Sequence, residues 1–229
     1  MARALRALSS AYVERRSRLD EGTALSGAGK RAAFALFYGP MHFLIVSEIV
    51  RRLPAVIPAG ATLVDLGCGT GAAGAAWAAA GSSTVRVVGV DRHPWAVSEA
   101  GWTYRQFRLD GRARRGDVAA FALPRGRSAL VAAFTLNELP EGVRETMLPR
   151  LLDRARHGDA VLIVEPIAKA VAPWWSRWRV EFERAGGRSD EWRFRVPLPP
   201  LAAKLDHAAG LDHHELTARS LWLGGPSKP

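Results

Sequence analysis

A glycine-rich stretch at residues 62–74, T-L-V-D-L-G-C-G-T-G-A-A-G, limits the fold of this chain more than any other feature. Its first five residues are typical of a short buried strand, and an alanine-rich helix is predicted over residues 72–80. Gly67, Gly69 and Gly71 form the turn between them, because glycine adopts the backbone angles of a tight turn and lets a ligand approach the main chain. The stretch therefore predicts a strand, turn and helix with a cofactor on the loop.

Two classes of cofactor use such a loop. Gly69, Gly71 and Gly74 satisfy the G-x-G-x-x-G pattern of dinucleotide-binding proteins, in which helix-terminal amides hold a pyrophosphate. Asp65 favours another class, because a carboxylate repels a pyrophosphate but attracts a sulfonium and an amino group. Here the sequence resembles the class I S-adenosylmethionine (SAM) methyltransferases, whose first motif is similar to V-D-L-G-C-G-T-G at residues 64–71.

The resemblance implies SAM as the cofactor and a doubly wound, mostly parallel α/β sheet of the seven-stranded type, preceded by a helical cap. The cofactor contacts that we predict lie in the glycine loop and just after later strands: Asp65, Gly67, Cys68, Gly69, Gly71, Asp91, Arg92, Asp117, Val118, Phe134 and Thr135. Cys68 is the only cysteine, so an internal disulfide is excluded, and its place suits a small packing residue better than a redox centre. No metal site is predicted.

Asp91 ends a predicted strand over residues 85–91, twenty residues after Gly71. At this spacing a carboxylate can accept hydrogen bonds from both ribose hydroxyls of a bound nucleoside. The alternative is that Asp91 caps the helix that begins at Pro94. We predict the ribose role.

Residues 116–118 resemble the G-D-V element of the same family. The resemblance implies that Asp117 meets the adenine amino group and that the backbone amide of Val118 faces the ring. Alternatively, Asp117 caps a helix predicted over residues 118–122.

The segment T-L-N-E-L-P at residues 135–140 follows a predicted strand, at the sheet edge where ligands bind in open α/β folds. Asn137 is a predicted acceptor contact on this segment, and Glu138 could neutralise the sulfonium, bind an amine acceptor or act as a general base. Equally, Asn137 and Glu138 could begin a helix that runs to Arg156, where acidic residues complement the helix dipole. Methyltransferases of exocyclic base amines often have an N-P-P-Y-like sequence here, and its prolines and aromatic residue are missing, which disfavours such an acceptor.

The first 60 residues are predicted to form a helical cap over the cofactor mouth, and residues 61–229 to form the SAM-binding domain. The cap contains helices over residues 2–20 and 31–53, the second kinked at Pro40. Tyr38 and His42 share one face of that helix and could orient or deprotonate the acceptor. Alternatively, both are core residues of a helix that packs on the sheet.

A tryptophan-rich helix over residues 172–184 is predicted within an insertion at about residues 171–187. Trp174 and Trp178 share a face and could form an aromatic acceptor pocket, or else pack between the helix and the core. Only one long strand, residues 213–223, is evident after the last predicted helix, which suggests an atypical sheet edge.

The net charge of +10 suggests an affinity for nucleic acids, but only four of the 32 basic residues are lysine and the arginines are scattered. The densest cluster comprises Arg105, Arg108, Arg112, Arg114 and Arg115, and a solvated helix end and strand edge explains it equally well. Residues 32–50 are interrupted by polar and helix-breaking residues, so we expect a soluble, cytoplasmic protein without a membrane partner.

A second, partial resemblance concerns residues 133–139, A-F-T-L-N-E-L, and 162–166, L-I-V-E-P. Both are similar to methyltransferase-like proteins associated with the mitochondrial small ribosomal subunit, whose iron–sulfur cysteines and G-T-P element this chain lacks. We predict methyl transfer to a small molecule held under the cap and the tryptophan helix. The alternatives are a ribosomal RNA methyltransferase and a ribosome-associated binding protein. The acceptor, the methylated atom and the oligomeric state are left open by the sequence.

Overall fold

A computed structural model describes residues 25–81, 85–167, 172–211 and 213–224, together with Arg3 and Leu5. The strands formed by these residues are β1 (Thr62–Leu66), β2 (Arg86–Asp91), β3 (Asp110–Arg115), β4 (Ser128–Ala133), β5 (Ala160–Glu165), β6 (Arg188–Phe194) and β7 (Leu216–Leu223). They form a seven-stranded sheet in the order β3-β2-β1-β4-β5-β7-β6. All neighbours are parallel except β7, which runs antiparallel to β5 and β6. The predicted α/β fold is confirmed, and β6 supplies the edge partner of the final strand.

The helices cover both faces of this sheet. They are α1 (Ala28–Ala33), a π-helical turn (Phe34–Tyr38), α2 (Gly39–Arg52), α3 (Ala72–Ala80), α4 (Pro94–Gln106), α5 (Glu141–Arg156), α6 (Trp175–Arg184) and α7 (Pro200–Ala209). Alternate residues of β1 point to opposite faces, so Leu63 joins one hydrophobic cluster and Val64 the other. Helices α1 to α4 and α7 contribute to the first cluster, whereas α5 and α6 contribute to the second.

The N-terminal helices form one continuous helical run, Ala28–Arg52. Because Pro40 has no N–H, the carbonyl four residues before it loses its usual donor, and the π-helical turn directly before Pro40 accommodates this loss. The N–H of Gly39 instead donates to the carbonyl of Phe34, five residues back. The predicted kink is therefore a π-helical turn, and the helix begins at Ala28, earlier than predicted. The predicted helix over residues 2–20 lies outside the described residues except for Arg3 and Leu5.

The run Ala28–Arg52 is also long and apolar enough to cross a membrane, by length and composition alone. However, 56% of its most apolar window is buried inside the protein. Met41, Ile45 and Ile49 of this run pack in the same cluster as Trp77 of α3. This burial is what a core helix requires. The predicted division of the chain at residue 60 stays a prediction.

Two segments that were predicted to be helical are not. Residues 118–122 form only a turn, because the carboxylate of Asp117 accepts the N–H of Ala119 at 2.8 Å and Pro124 follows closely. Leu136–Glu138 is a short 3₁₀ turn, and α5 begins only at Glu141, because Pro140 keeps the preceding residue extended.

Tyr104 of α4 is fully buried where the glycine loop, β2 and β3 meet. Three glycines make room for it. A Cβ atom on Gly71 would lie 2.9 Å from its ring, on Gly89 2.6 Å from its hydroxyl, and on Gly111 2.6 Å from its Cβ. The ring is therefore enclosed on the sides where these glycines lie.

We predict that Gly111→Ala lowers the free energy of unfolding by about 1–3 kcal/mol, because the new methyl group overlaps the rigid Cβ of Tyr104. Thermal or urea unfolding followed by circular dichroism measures the loss. Gly126→Ala is the matched control, since no atom lies within 4 Å of its added Cβ. Equal stabilities of the two variants would contradict the packing described for Tyr104.

Candidate active site

A cavity of about 700 Å³ opens at the carboxyl ends of the central strands. The glycine loop forms one side of it, and the helical run Ala28–Arg52 forms another. Nearly all of the predicted cofactor residues line this cavity: Asp65, Gly67, Cys68, Gly69, Asp91, Arg92, Asp117, Val118, Phe134 and Thr135. Gly71 does not line the cavity. It is the N-cap residue of α3 and packs against the ring of Tyr104. Direct contacts of these residues with a cofactor stay predictions.

The glycine loop adopts the left-handed conformation that the sequence predicted. Gly67, Gly69 and Gly71 have φ angles of 69°, 51° and 78°, a region that side chains with a Cβ rarely adopt. The N–H groups of Gly67 and Cys68 donate to the carbonyl of Val90 at 2.9 and 3.0 Å, which ties the loop to β2. Both Gly67 and Gly69 line the cavity, although a Cβ on Gly67 would lie 2.3 Å from Thr135 and one on Gly69 3.3 Å from Phe34.

Asp65 is only 1% exposed, and it lies between the loop and two helices. Its Oδ2 accepts the N–H of Gly74 at 2.8 Å and the hydroxyl of Tyr104 at 3.4 Å. A Cβ on Gly74 would lie 2.8 Å from the same oxygen, so the third glycine of the pattern makes room for a carboxylate. Burial raises the pKa of Asp65 to about 7, although these two hydrogen bonds oppose the rise.

Asp91 connects the loop to the start of α4. Its Oδ2 accepts the N–H of Gly69 at 3.0 Å, and its Oδ1 accepts the N–H of His93 at 2.8 Å. Each carboxylate oxygen has a further lone pair, so the carboxylate can still accept ribose hydroxyls. Together with Asp65 and the glycine loop, this arrangement fits a cofactor that carries a cation and a ribose.

Aromatic rings line the same cavity as the glycine loop. The ring of His42 stacks on Phe134, with centroids 3.9 Å apart and planes at 13°. Phe34 and Tyr38 lie within 6.1 Å and 6.0 Å of the same imidazole. Burial lowers the pKa of His42 to about 3, so the imidazole is neutral at physiological pH and is a weak base. This favours the predicted orienting role of His42 over deprotonation.

Glu138 lines the cavity on a turn that a buried acid holds in place. Glu165, at the end of β5 and 0% exposed, accepts the N–H groups of Leu136 and Asn137 at 2.8 and 3.3 Å. It also accepts a hydrogen bond from the side-chain amide of Asn137. Sequence reasoning missed Glu165, although a carboxylate at the end of a predicted strand was a signal for it.

Neither predicted tryptophan reaches the cavity. Trp178 is fully buried in the second hydrophobic cluster, so its prediction as an acceptor-binding residue is wrong. Trp174 donates its Nε1–H to Oδ1 of Asn137 at 3.0 Å and does not line the cavity. Helix α6 packs on the second face of the sheet, and the cavity lining among the described residues includes none of its side chains. The predicted enclosure of the acceptor by this helix is therefore not found.

Arg219 of β7 is a second buried charge that sequence reasoning missed. It is paired in register with Glu165 on one side and Glu191 on the other. Its guanidinium lies 4.2 Å from the ring centroid of Trp175. Burial lowers the pKa of Arg219, while the two glutamates oppose the effect. Among the described residues, no group of three or more His, Cys, Asp or Glu is arranged to hold a metal.

The raised pKa of Asp65 predicts that protons are released when a cationic cofactor binds beside it. A pKa of about 7 leaves the carboxyl partly protonated near neutral pH, and a neighbouring cation lowers that pKa. Binding of SAM at about pH 6.5 should therefore release a fraction of a proton, and the release should vanish near about pH 8.5. Calorimetry in two buffers of different ionisation enthalpy measures this proton release.

The raised pKa of Asp65 also affects folding stability. The carboxyl stabilises the folded state most when the pH is below its ordinary pKa of 3.8, and progressively less as the pH rises to about 7.

Asp65→Asn removes the titrating group and should abolish the proton release. Asp153→Asn, an exposed change on α5, is the matched control and should leave it intact. An unchanged release in Asp65→Asn would show that another group titrates and would remove Asp65 from the neighbourhood of the cation.

Comparisons with known proteins agree with this geometry. Residues 63–158 match the family model described as a methyltransferase domain. Among curated protein sequences, the chain has no match. The mitomycin 7-O-methyltransferase structure aligns with a TM-score of 0.60 and 15% identity, over 90% of this chain and 60% of that one.

Two bacterial enzymes of similar length share the fold. A SAM-dependent methyltransferase from Aquifex aeolicus aligns with a TM-score of 0.53 and 15% identity, over 93% of this chain and 97% of that one. A SAM-dependent methyltransferase from Thiobacillus denitrificans was solved in complex with S-adenosyl-L-homocysteine. It aligns with a TM-score of 0.51 and 13% identity, over 82% of this chain and 92% of that one. Residues 63–158 are therefore a methyltransferase domain, and the chain shares its fold with SAM-dependent methyltransferases.

Proposed function

We propose that the chain methylates a small molecule that binds under the helical run Ala28–Arg52. The observation that carries this proposal is the aromatic wall of Phe34, Tyr38, His42 and Phe134, which lines the same cavity as the glycine loop. Small-molecule sites are concave and mostly apolar, with a few polar groups that fix orientation. A cavity of about 700 Å³ lies within the usual size range of such sites.

The proposed roles of the chain's residues are mainly positional. SAM supplies a methyl group on a cationic sulfur, and alignment of the nucleophile with that methyl accounts for most of the acceleration. The aromatic wall limits the orientations of a planar acceptor, and we propose that Tyr38 and neutral His42, which line the same cavity, hydrogen-bond it. Glu138 is the acidic group on this wall that we propose to orient the nucleophile or accept its proton.

Calorimetry and labelled-methyl transfer test this function. We expect SAM to bind and NAD(H) not to bind, and we expect label from SAM to enter the small-molecule fraction of a cell extract. His42→Ala should reduce transfer by about tenfold or more while SAM affinity changes little, because the acceptor loses its stacked wall. His157→Ala, an exposed change on another helix surface, is the control. Label found only in RNA, or NAD(H) binding without SAM binding, would contradict the proposal.

A ribosomal or other RNA acceptor is the second candidate, and the edge of the sheet at β3 favours it. Arg105, Arg108, Arg112 and Arg114 form no ion pair with any residue that the structure describes, whereas Arg177 pairs with Glu145. Trp102 of α4 and Phe107 directly after it are 54% and 42% exposed, and exposed rings can stack on bases. Arginines on an edge strand also prevent pairing with other strands, so this surface has a simpler explanation.

We expect the β3 edge to bind RNA only through non-specific charge. A labelled oligouridine should bind at low salt, and fluorescence anisotropy should show the binding lost at about 0.15 M salt. Changing the four arginines at positions 105, 108, 112 and 114 to glutamine should weaken the low-salt binding. The matched control variant changes four other arginines to glutamine, each of which forms an ion pair: Arg156, Arg177, Arg184 and Arg188. Tight binding that persists at physiological salt would favour the RNA acceptor instead.

A cytoplasmic location without a membrane partner is also part of this proposal. The burial of more than half of the most apolar window of Ala28–Arg52 supports it, because a helix that packs on α3 has less apolar surface for lipid. Fractionation of cells that produce the full chain tests the location. Recovery in the membrane fraction after a high-salt wash would contradict it.

A further inference from the structure

Helix α5 lies outside the cavity but contacts two segments that line it. Residues 116–121, which we call the nucleoside segment, follow β3, and residues 136–139, which we call the acceptor turn, follow β4. Two strands, β2 and β1, separate β3 from β4 in the sheet. None of the described lining residues comes from α5, whose apolar residues Met147, Leu148 and Leu151 pack in the second hydrophobic cluster. Side chains of α5 can therefore hold both segments from a fixed part of the core.

Arg144 of α5 holds the acceptor turn. Its Nη1 donates hydrogen bonds to the carbonyls of Leu136, at 3.3 Å, and Leu139, which are the first and last residues of the turn. The guanidinium also lies 5.8 Å from the ring centroid of Trp174. The glutamate that ends β5 accepts the N–H groups of the first two residues of the same turn. The turn is thus held by a cation at its carbonyls and by a carboxylate at its amides.

Arg150, six residues further along α5, holds the nucleoside segment. Its Nη1 donates to the carbonyl of Ala119 at 3.0 Å, and its Nη2 donates to the carbonyl of Phe121. These carbonyls come just after Asp117 and Val118, the predicted adenine contacts that line the cavity. The same kind of contact, a guanidinium with two backbone carbonyls, therefore occurs at both segments.

We propose that Arg144 and Arg150 are positioning residues with separate effects: Arg144 places the acceptor turn for methyl transfer, and Arg150 places the nucleoside segment for binding of SAM. Loop carbonyls that lose a protein donor hydrogen-bond to water instead, so either segment is less fixed without its arginine. Displacement on the acceptor side lowers the rate more than the affinity for the cofactor, because alignment counts mainly in the transition state. This inference rests on methyl transfer from SAM in this cavity, as in the proposed function, but not on the class of acceptor.

Arg144→Met and Arg150→Met test the separation, since methionine removes every donor and has a helix propensity close to that of arginine. Calorimetry with the full chain measures the Kd of S-adenosyl-L-homocysteine. Labelled-methyl transfer to a heat-treated cell extract, with SAM varied and label counted in all fractions, measures the maximal rate and the KM for SAM. We expect Arg150→Met to raise this Kd and this KM by about three- to tenfold. We expect Arg144→Met to lower the maximal rate by about tenfold or more and to leave both constants nearly unchanged.

Arg156→Met is the matched control, because Arg156 is exposed and pairs with Asp153 of the same helix. It should leave the rate and both constants at their wild-type values. Arg144→Lys and Arg150→Lys keep the charge without the planar fork, so each should show the effect of its methionine variant in milder form. If a methionine variant does not fold, its lysine variant decides. Equal losses of rate and of cofactor affinity in the variants of both positions would overturn the inference.

Hydrogen exchange followed by mass spectrometry tests the same separation without an acceptor. In the complex with S-adenosyl-L-homocysteine, Arg144→Met should speed exchange at residues 136–139, and Arg150→Met should speed it at residues 118–123. Faster exchange of both segments in each variant, or of neither, contradicts the inference. Label that enters only RNA would contradict the small-molecule acceptor and leave the inference standing. If S-adenosyl-L-homocysteine does not bind the wild-type chain, the proposed function and the inference both fail.

Discussion

The cofactor end of this protein depends on the packing of one buried ring, that of Tyr104. Its hydroxyl reaches the carboxylate of Asp65, and Asp65 in turn holds the amide of Gly74 at the start of α3. The ring fills the space that glycines leave in the loop and in two neighbouring strands. The conformation of the loop and the position of α4 are therefore set by the same contact. A larger residue at any of those glycines disturbs the ligand side of the sheet as well as its core.

The elements with strong local signals were predictable, and those that depend on tertiary placement were not. Residues 62–66 and 72–80 were correctly predicted as strand and helix, because glycine, apolar and alanine runs mark their limits. Sequence spacing correctly placed Trp174 and Trp178 on one side of a helix but could not show which face of the sheet that helix covers. The structure shows that this helix packs in the second hydrophobic cluster, so the two tryptophans do not line the cavity.

The residues that sequence reasoning missed differ in how strong a signal each has in the sequence. Gly89 and Gly111 interrupt otherwise regular strands, and a lone glycine in a strand often marks a close approach, so Tyr104 could have been sought opposite them. Glu165 ends a strand at the ligand edge, which is a recognisable position. Arg219 had no local signal, because its partners come from strands that the sequence does not show to be neighbours.

The π-helical turn at Phe34–Tyr38 has a consequence for how the aromatic wall of the cavity can change during evolution. A π-helical turn contains one residue more than an α-helical turn. Loss of a single residue there would restore an α-helical turn, because the wider turn is what absorbs the extra residue. The helix on either side would then keep its orientation, and only the rings within the turn would shift. Single-codon changes confined to this turn can therefore alter the aromatic lining of the cavity while the sheet and the glycine loop stay in place.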